Sequence, residues 1–190
     1  CIFYIPVILF SQPALPTGFV TSLDSILNIP VNSASRYWQK ASDAPASVSI
    51  ITAEEIERFG YETLGEALQS VRGMYISNDR NYSYVGVRGF SRPTDYNDRI
   101  ILLLNGHRLN ENVYGSCYAG NELGLNLESV EQIEIVRGPG SSLYGTGAML
   151  AVINIITKRE MNTEHLSIGA GAGSFGKLTG TASYARNFEN

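Results

Sequence analysis

Residues 133–158 read IEIVRGPGSSLYGTGAMLAVINIITK, and the order of signals inside this stretch sets the architecture. Ile133 to Val136 and Val152 to Thr157 have the apolar, β-branched content of strands. Between them, Arg137-Gly138-Pro139-Gly140 places two glycines and a proline directly after the first strand. That backbone is stiff, and it fixes the direction in which Arg137 leaves the sheet. Gly140 to Gly145 has the glycine spacing of a phosphate-binding loop, but Thr146 and Gly147 follow where Lys and Ser or Thr are required. The segment is therefore a strand, rigid turn and strand without nucleotide chemistry.

Upstream, Ile100 to Leu104 (IILLL) is a continuous apolar run of the kind covered on both faces of a sheet. Asn105-Gly106 follows it as a two-residue hairpin turn that needs φ > 0 at both positions. Met74 to Ser77 and Tyr84 to Val87 read as further strands, and Leu127 to Val130 as one helical turn. Ser47 to Ile51 alternates as a half-buried strand does and runs into Thr52-Ala53-Glu54-Glu55, a capping box with Thr52 as N-cap and Glu55 as N3. Ile51 and Ile56 are placed to staple this helix, and Gly60 stops it. Thr63 and Glu66 repeat the box, with Leu64, Ala67, Leu68 and Val71 on one helical face before Gly73 closes the segment. The expected fold is a small mixed α+β domain with short helices from about Asp43 to Lys158.

The two ends have a different character. Ile2 to Phe10 is an apolar run followed by Ser11-Gln12-Pro13-Ala14, resembling the end of a secretory signal peptide whose start is missing, so residues 1–14 are read as its remnant in a truncated chain. Residues 15–42 mix Pro, Ser, Asn and single apolar residues and read as an extended arm or linker. After Met161, Leu166, Ile168, Ala170 and Ala172 alternate with small polar positions. Ser174-Phe175-Gly176 offers a turn, and Leu178, Gly180, Ala182 and Tyr184 line one face of a return strand. Each arm approaches the length of a tilted outer-membrane strand, although an ordinary soluble hairpin has the same pattern. Either one needs more sheet to be stable.

Composition narrows the function classes. Hydrophobic residues make up 44% and charged residues 17%, which is globular. The net charge of −4, with 14 scattered basic residues, excludes a phosphate-tracking surface, so no nucleic acid partner is expected. Cys1 and Cys117 are too few for a disulfide framework, and His107 and His165 have no ligand spacing, so no metal site or cofactor is expected. Glu54, Glu55 and Glu57 are explained as charges on the first turns of a helix rather than as an acid and base pair. Arg88-Gly89-Phe90 fails as an RNA-binding strand because Ser91-Arg92-Pro93 breaks it. No catalytic constellation survives, and an enzyme is not expected.

Four segments together, DAPASVSIITAEEI (43–56), VGVRGF (85–90), ILLLNGHRL (101–109) and residues 133–158, resemble the plug domain of TonB-dependent outer-membrane receptors in order and spacing. The resemblance implies a plug at residues 43–160 inside a 22-stranded barrel, with residues 161–190 as the first barrel hairpin. It implies a Gram-negative outer membrane, an arm facing the periplasm, and import of a scarce substrate such as an iron-siderophore or corrinoid complex with energy delivered through TonB. Ile29, Pro30, Val31, Asn32, Ser33 and Ala34 lie where the family carries its TonB box, which pairs with the partner as an added strand; a plain linker is the alternative. Arg88 and Arg137 take the role of plug arginines that meet acids of the barrel wall, the alternative being arginines that cap nearby carbonyls. The polar loops 91–98 and 110–121 supply Arg92, Tyr96, Tyr114 and Tyr118 as candidate ligand contacts.

A rival reading is a soluble plug-like binding or signalling module without a barrel. The reading frame after Asn190 separates the two: a receptor continues with many strands of ~10 alternating residues. A stop codon directly after Asn190 favours the module.

Overall fold

The computed structural model describes residues 30–31, 39–40, 47–92, 94–158, 165–173, 176 and 178–185. The signal-peptide reading of residues 1–14 lies outside these, as do Ile29, Asn32, Ser33 and Ala34. Within the arm expected to be a linker, β1 (Pro30–Val31) pairs antiparallel with β2 (Gln39–Lys40).

The centre is a five-stranded sheet. It contains β3 (Ser47–Thr52), β6 (Ile100–Leu104), β7 (His107–Arg108), β8 (Val130–Arg137) and β9 (Ala151–Thr157) in the order β3-β8-β9-β6-β7. Only β6 and β9 run parallel. β6 is the apolar run, and its alternate residues divide between two cores as a strand covered on both faces requires. Ile100 and Leu102 join the larger core, and Ile101 and Leu103 join a second one with Val136, Ala148 and Val152. β6 turns into β7 through Asn105 at φ 50° and Gly106 at φ 85°, the left-handed pair read from the sequence. β8 is longer than expected: it begins at Val130, and the helical turn before it is a 3-10 turn over Leu127–Ser129.

Two short helices cover one face. α1 (Ala53–Phe59) has the full capping box. Thr52 Oγ1 accepts from the Glu55 amide at 3.3 Å, and the Glu55 carboxylate accepts from the Thr52 amide at 3.0 Å. Gly60 ends it in the left-handed conformation at φ 65°. Ile51 and Ile56 are both buried in the larger core, as a staple requires. Thr52→Ala is expected to cost about 1 kcal/mol, read as a lower urea midpoint with unchanged slope.

In α2 (Leu64–Gln69), Thr63 accepts from the Glu66 amide as expected. The reciprocal half differs, because the Glu66 carboxylate takes the Glu62 amide at 2.8 Å, one residue before the cap. The helix also ends at Gln69 rather than at Gly73. Val71 is buried regardless, since the chain folds back from Ser70 into β4 (Met74–Asn78). β4 pairs with β5 (Ser83–Val87) as a separate antiparallel hairpin whose Met74, Val85 and Val87 complete the larger core.

After β8, α3 (Ser141–Tyr144) fills the Gly-rich turn with one helical turn. β10 (His165–Ala172) and β11 (Leu178–Ala185) form the expected hairpin with eight residues in each arm. Leu166 stands opposite Tyr184, Ile168 opposite Ala182 and Ala172 opposite Leu178, so the apolar positions share one face. Ile168, Leu178 and Tyr184 are exposed. Of the expected turn, Ser174 and Phe175 lie outside the described residues.

Candidate functional site

The two polar loops are held to the strands by two buried asparagines. Asn97 Oδ1 accepts from the Val85 amide at 2.8 Å, and its Nδ2 donates to the carbonyls of Ser83 (2.9 Å) and Cys117 (2.8 Å). Loop 94–98 is thereby tied to β5 and to loop 110–121 through one side chain. Asn110 does the same farther along: its Oδ1 accepts from Leu102, and its Nδ2 donates to Ile100 and Gly115. Irregular chain placed against a core must satisfy its backbone groups, and an amide side chain, which both donates and accepts, satisfies them on two segments at once.

The tie at Asn97 imposes an unusual backbone. Thr94, Tyr96 and Asn97 all have positive φ (87°, 50° and 62°), which costs side-chain-bearing residues energy unless their surroundings over-determine it. The Cys117 amide adds a bond to the Tyr96 carbonyl at 3.0 Å. The result is a shallow, tightly filled cleft whose lining includes Tyr82, Tyr84, Tyr96, Tyr118, Cys117 and Glu122. Tyr82 and Tyr96 meet edge to face with centroids 5.1 Å apart. At its border, Asp79 accepts from the amides of Tyr82 (2.8 Å) and Asn81 (2.9 Å) and from the Tyr84 hydroxyl (3.0 Å). The Tyr82 amide first, and then that of Asn81, hold its carboxyl below the usual range; the same hydroxyl bond pushes the Tyr84 phenol up. Burial pushes the Cys117 thiol up to about 12, so it behaves as a small apolar group.

Of the four expected ligand contacts, the fold brings Tyr96 and Tyr118 together in this cleft. Arg92 and Tyr114 do not line it. Tyr114 is exposed at the tip of loop 110–121, where the Glu111 carboxylate accepts from the amides of Val113 and Tyr114. Sequence reasoning missed Tyr82, Tyr84 and Glu122. The signal present was the crowding of Tyr82 and Tyr84 around a turn opened by Asp79.

A second cluster sits where β5 and β8 end. The Arg137 guanidinium donates to the Arg72 carbonyl and, at 2.8 Å, to Ser49 Oγ, while Arg88 Nη2 donates to the Arg137 carbonyl at 3.3 Å. Arg88 itself has φ 51°, and its amide is fixed by the Gly73 carbonyl at 2.7 Å. Both arginines thus cap carbonyls, the alternative already open in the sequence. Neither they nor Arg72 forms an ion pair among the described residues, and Arg137 Nε is buried there without a partner. Burial first, and then the charges of Arg88 and Arg72, lower the Arg137 pKa. Among the described residues no three His, Cys, Asp or Glu side chains converge as a metal site.

Residues 40–152 match the family model described as the TonB-dependent receptor plug domain. The chain is 31% identical over 163 residues to the vitamin B12 transporter BtuB of Vibrio vulnificus, an alignment covering 84% of this chain and 25% of that protein. It is 34% identical to the iron-regulated outer membrane virulence protein of Vibrio cholerae over 68% of this chain and 20% of that one. The chain therefore spans about a quarter or less of the length of these curated relatives. Among solved structures, the ferric yersiniabactin uptake receptor FyuA of Yersinia pestis superposes with a TM-score of 0.59 at 26% identity, covering 74% of this chain and 21% of that one. The ferripyoverdine receptor of Pseudomonas aeruginosa shares the fold at a TM-score of 0.67 and 19% identity, covering 82% of this chain and 20% of that one.

Proposed function

The chain belongs to the TonB-dependent receptor plug-domain family, and from that premise we propose that it is the plug and first barrel hairpin of an outer-membrane import receptor. The whole receptor binds a scarce substrate, an iron-siderophore or corrinoid complex, and passes it to the periplasm with energy delivered through TonB. The observation that carries this reading is the presence in one chain of the plug sheet and a hairpin whose apolar face is left exposed at Ile168, Leu178 and Tyr184. A barrel in a bilayer covers such a face with lipid on the outside and satisfies its edges by closure.

In this reading residues 1–14 are the end of a signal peptide, 15–42 a periplasmic arm, 43–160 the plug and 161–190 the start of the barrel. The arm binds TonB through residues 29–34 by strand addition. Arg88 and Arg137 face acids of the barrel wall, and two observations support that role. The three arginines gather without an anion among the described residues, and Arg137 Nε waits there for an acceptor. A half-buried guanidinium crowded by other cations is stabilised by a carboxylate supplied from outside. Tyr96 and Tyr118 contact ligand from the cleft, with Arg92 and Tyr114 reaching it from the loop tips.

The test is uptake by cells in which the complete gene is the sole receptor, offered labelled cobalamin and a panel of ferric chelates. Energy-dependent accumulation of at least one is expected. Binding and accumulation of none, with the receptor present and folded in the outer membrane, would remove the import reading.

A further inference from the structure

We propose that Phe90 is an apolar anchor of the plug, seated on the inner wall of the barrel beside the arginine pair, where its ring keeps water from the contacts those arginines make. This rests on the import reading and names a surface within it.

The ring is placed by a turn with no slack. Val87 and Phe90 stand opposite each other and exchange two backbone bonds, each amide donating to the other's carbonyl at 2.9 Å. Between them Arg88 (φ 51°) and Gly89 (φ 85°) form a left-handed two-residue turn. Residues paired in this way carry their side chains on one face. Val87 is 2% exposed in the larger core, yet Phe90 on the same face is 68% exposed. The apolar face of β5 thus runs past the edge of the domain, and one aromatic ring continues it without cover. Phe59 is comparably exposed but has neighbours of its own: it stacks on Tyr61 with centroids 5.7 Å apart and lies under the Arg58 guanidinium at 5.9 Å. Phe90 has no such ring or cation contact among the described residues.

The residues around Phe90 indicate what covers it. Arg88, two residues earlier, donates to the Arg137 carbonyl, and Arg137 Nε is buried without an acceptor among the described residues. A ring lacking cover and a guanidinium lacking an anion therefore lie on one rigid turn and on the strand end bonded to it. One missing neighbour supplies both needs. The chain spans about a quarter or less of the length of its curated relatives, and in the import reading the remainder is the barrel that encloses the plug. The partner surface is accordingly an apolar recess of the inner wall flanked by acids. Burying the ring is favourable in itself, and a ring packed beside an ion pair excludes water and strengthens the pair.

The experiment uses the complete receptor in outer-membrane vesicles without ligand. A cysteine is introduced by Phe90→Cys or, at the exposed tip of loop 110–121, by Val113→Cys, and is labelled with a neutral maleimide; the parent receptor, whose Cys117 is buried, gives the background rate. Phe90→Cys is expected to label at least about tenfold more slowly than Val113→Cys, the factor that about 1.4 kcal/mol of protection gives. The second measurement is the urea midpoint for unfolding of the plug inside the barrel. Phe90→Ala should lower it and make it fall further with added salt, because screening reaches ion pairs that water has entered. Phe90→Leu, which keeps an apolar group, should recover most of both. Since the ring lies outside the plug's own core, its loss leaves that core intact. Fast labelling of Phe90→Cys, or a midpoint or salt dependence that Phe90→Ala leaves unchanged, would overturn the anchor. Protection that appears only when a ferric chelate or corrinoid is added would assign Phe90 to the ligand site and overturn it too. In each of these cases uptake by the parent receptor leaves import standing, whereas a complete gene product that never reaches the outer membrane would overturn both.

Discussion

A complete receptor carrying Val31→Pro is expected to lose energy-dependent uptake by roughly a hundredfold or more while binding ligand at the surface with near-normal affinity. Successive amides of an extended strand point to opposite edges, so Pro30 already removes a donor from one edge. The Val31 amide is the next donor, on the other edge, and that is the edge a partner strand has left to read. A second proline there leaves neither edge continuous, and loss of about 3 kcal/mol of strand-addition energy corresponds to the hundredfold. In the structure Pro30 and Val31 are already in a strand, Pro30 opposite Lys40 and Val31 opposite Gln39. A two-residue ladder is weak, so a partner offering a longer strand displaces it at little cost. Ligand binding is measured on whole cells at low temperature and uptake after warming. Retained uptake in the variant would remove residues 29–34 as the TonB contact, and loss of surface binding as well would point to misfolding instead.

The second large effect is expected at Asn97. Asn97→Ala strands the Val85 amide and the carbonyls of Ser83 and Cys117, three buried backbone groups that one side chain now satisfies. Each orphaned group costs about 1–3 kcal/mol, so the local opening energy of β5 against the ligand loops falls by several kcal/mol. Hydrogen exchange is the direct readout. The Val85 amide, which donates to Asn97 Oδ1, should exchange at least roughly a hundredfold faster, as a loss of about 3 kcal/mol implies. Amides of β9, which Asn97 does not touch, should keep their protection. Asn97→Asp keeps the acceptor but loses both donated bonds and buries a charge, so it should not rescue. Unchanged exchange at Val85 would mean that the loop is held by its other bonds, and Tyr96 would then owe its placement to something else.

Much of the fold could be read directly because its determinants are neighbours in the chain. Thr52 and Glu55 are three residues apart, and their reciprocal bonds follow from helix geometry alone. The Asn105-Gly106 turn is set by two residues that tolerate φ > 0. The exception at Thr63 is instructive: the same spacing gave only half of the box, because the Glu66 carboxylate accepts from a different amide within reach, that of Glu62. Spacing names the possible partners, and local geometry chooses among them.

The candidate site was legible only in part for the same reason. Tyr96 and Tyr118 could be nominated as loop aromatics, but Tyr82 and Tyr84 sit on another hairpin and join them through Asn97, whose bonds span 12 to 20 residues, and through the ring contact of Tyr82 with Tyr96. The arginine cluster is wider still: Arg137 reaches Arg72 and Ser49 across 65 and 88 residues. Arg72 carried no signal in its own surroundings.

By itself the sequence determined the central strands of the sheet, the first helix cap, the Asn105-Gly106 turn and the doubly covered run at Ile100 to Leu104, all of them patterns with periods or spacings of a few residues, and their order along the chain marked the family. Only the tertiary structure decided the strand order β3-β8-β9-β6-β7, the parallel pairing of β6 with β9, and the meeting of four tyrosines over one buried asparagine. Pairings across tens of residues are chosen by which apolar faces bury each other and which buried polar groups find partners, and those choices exist only once the whole domain has closed.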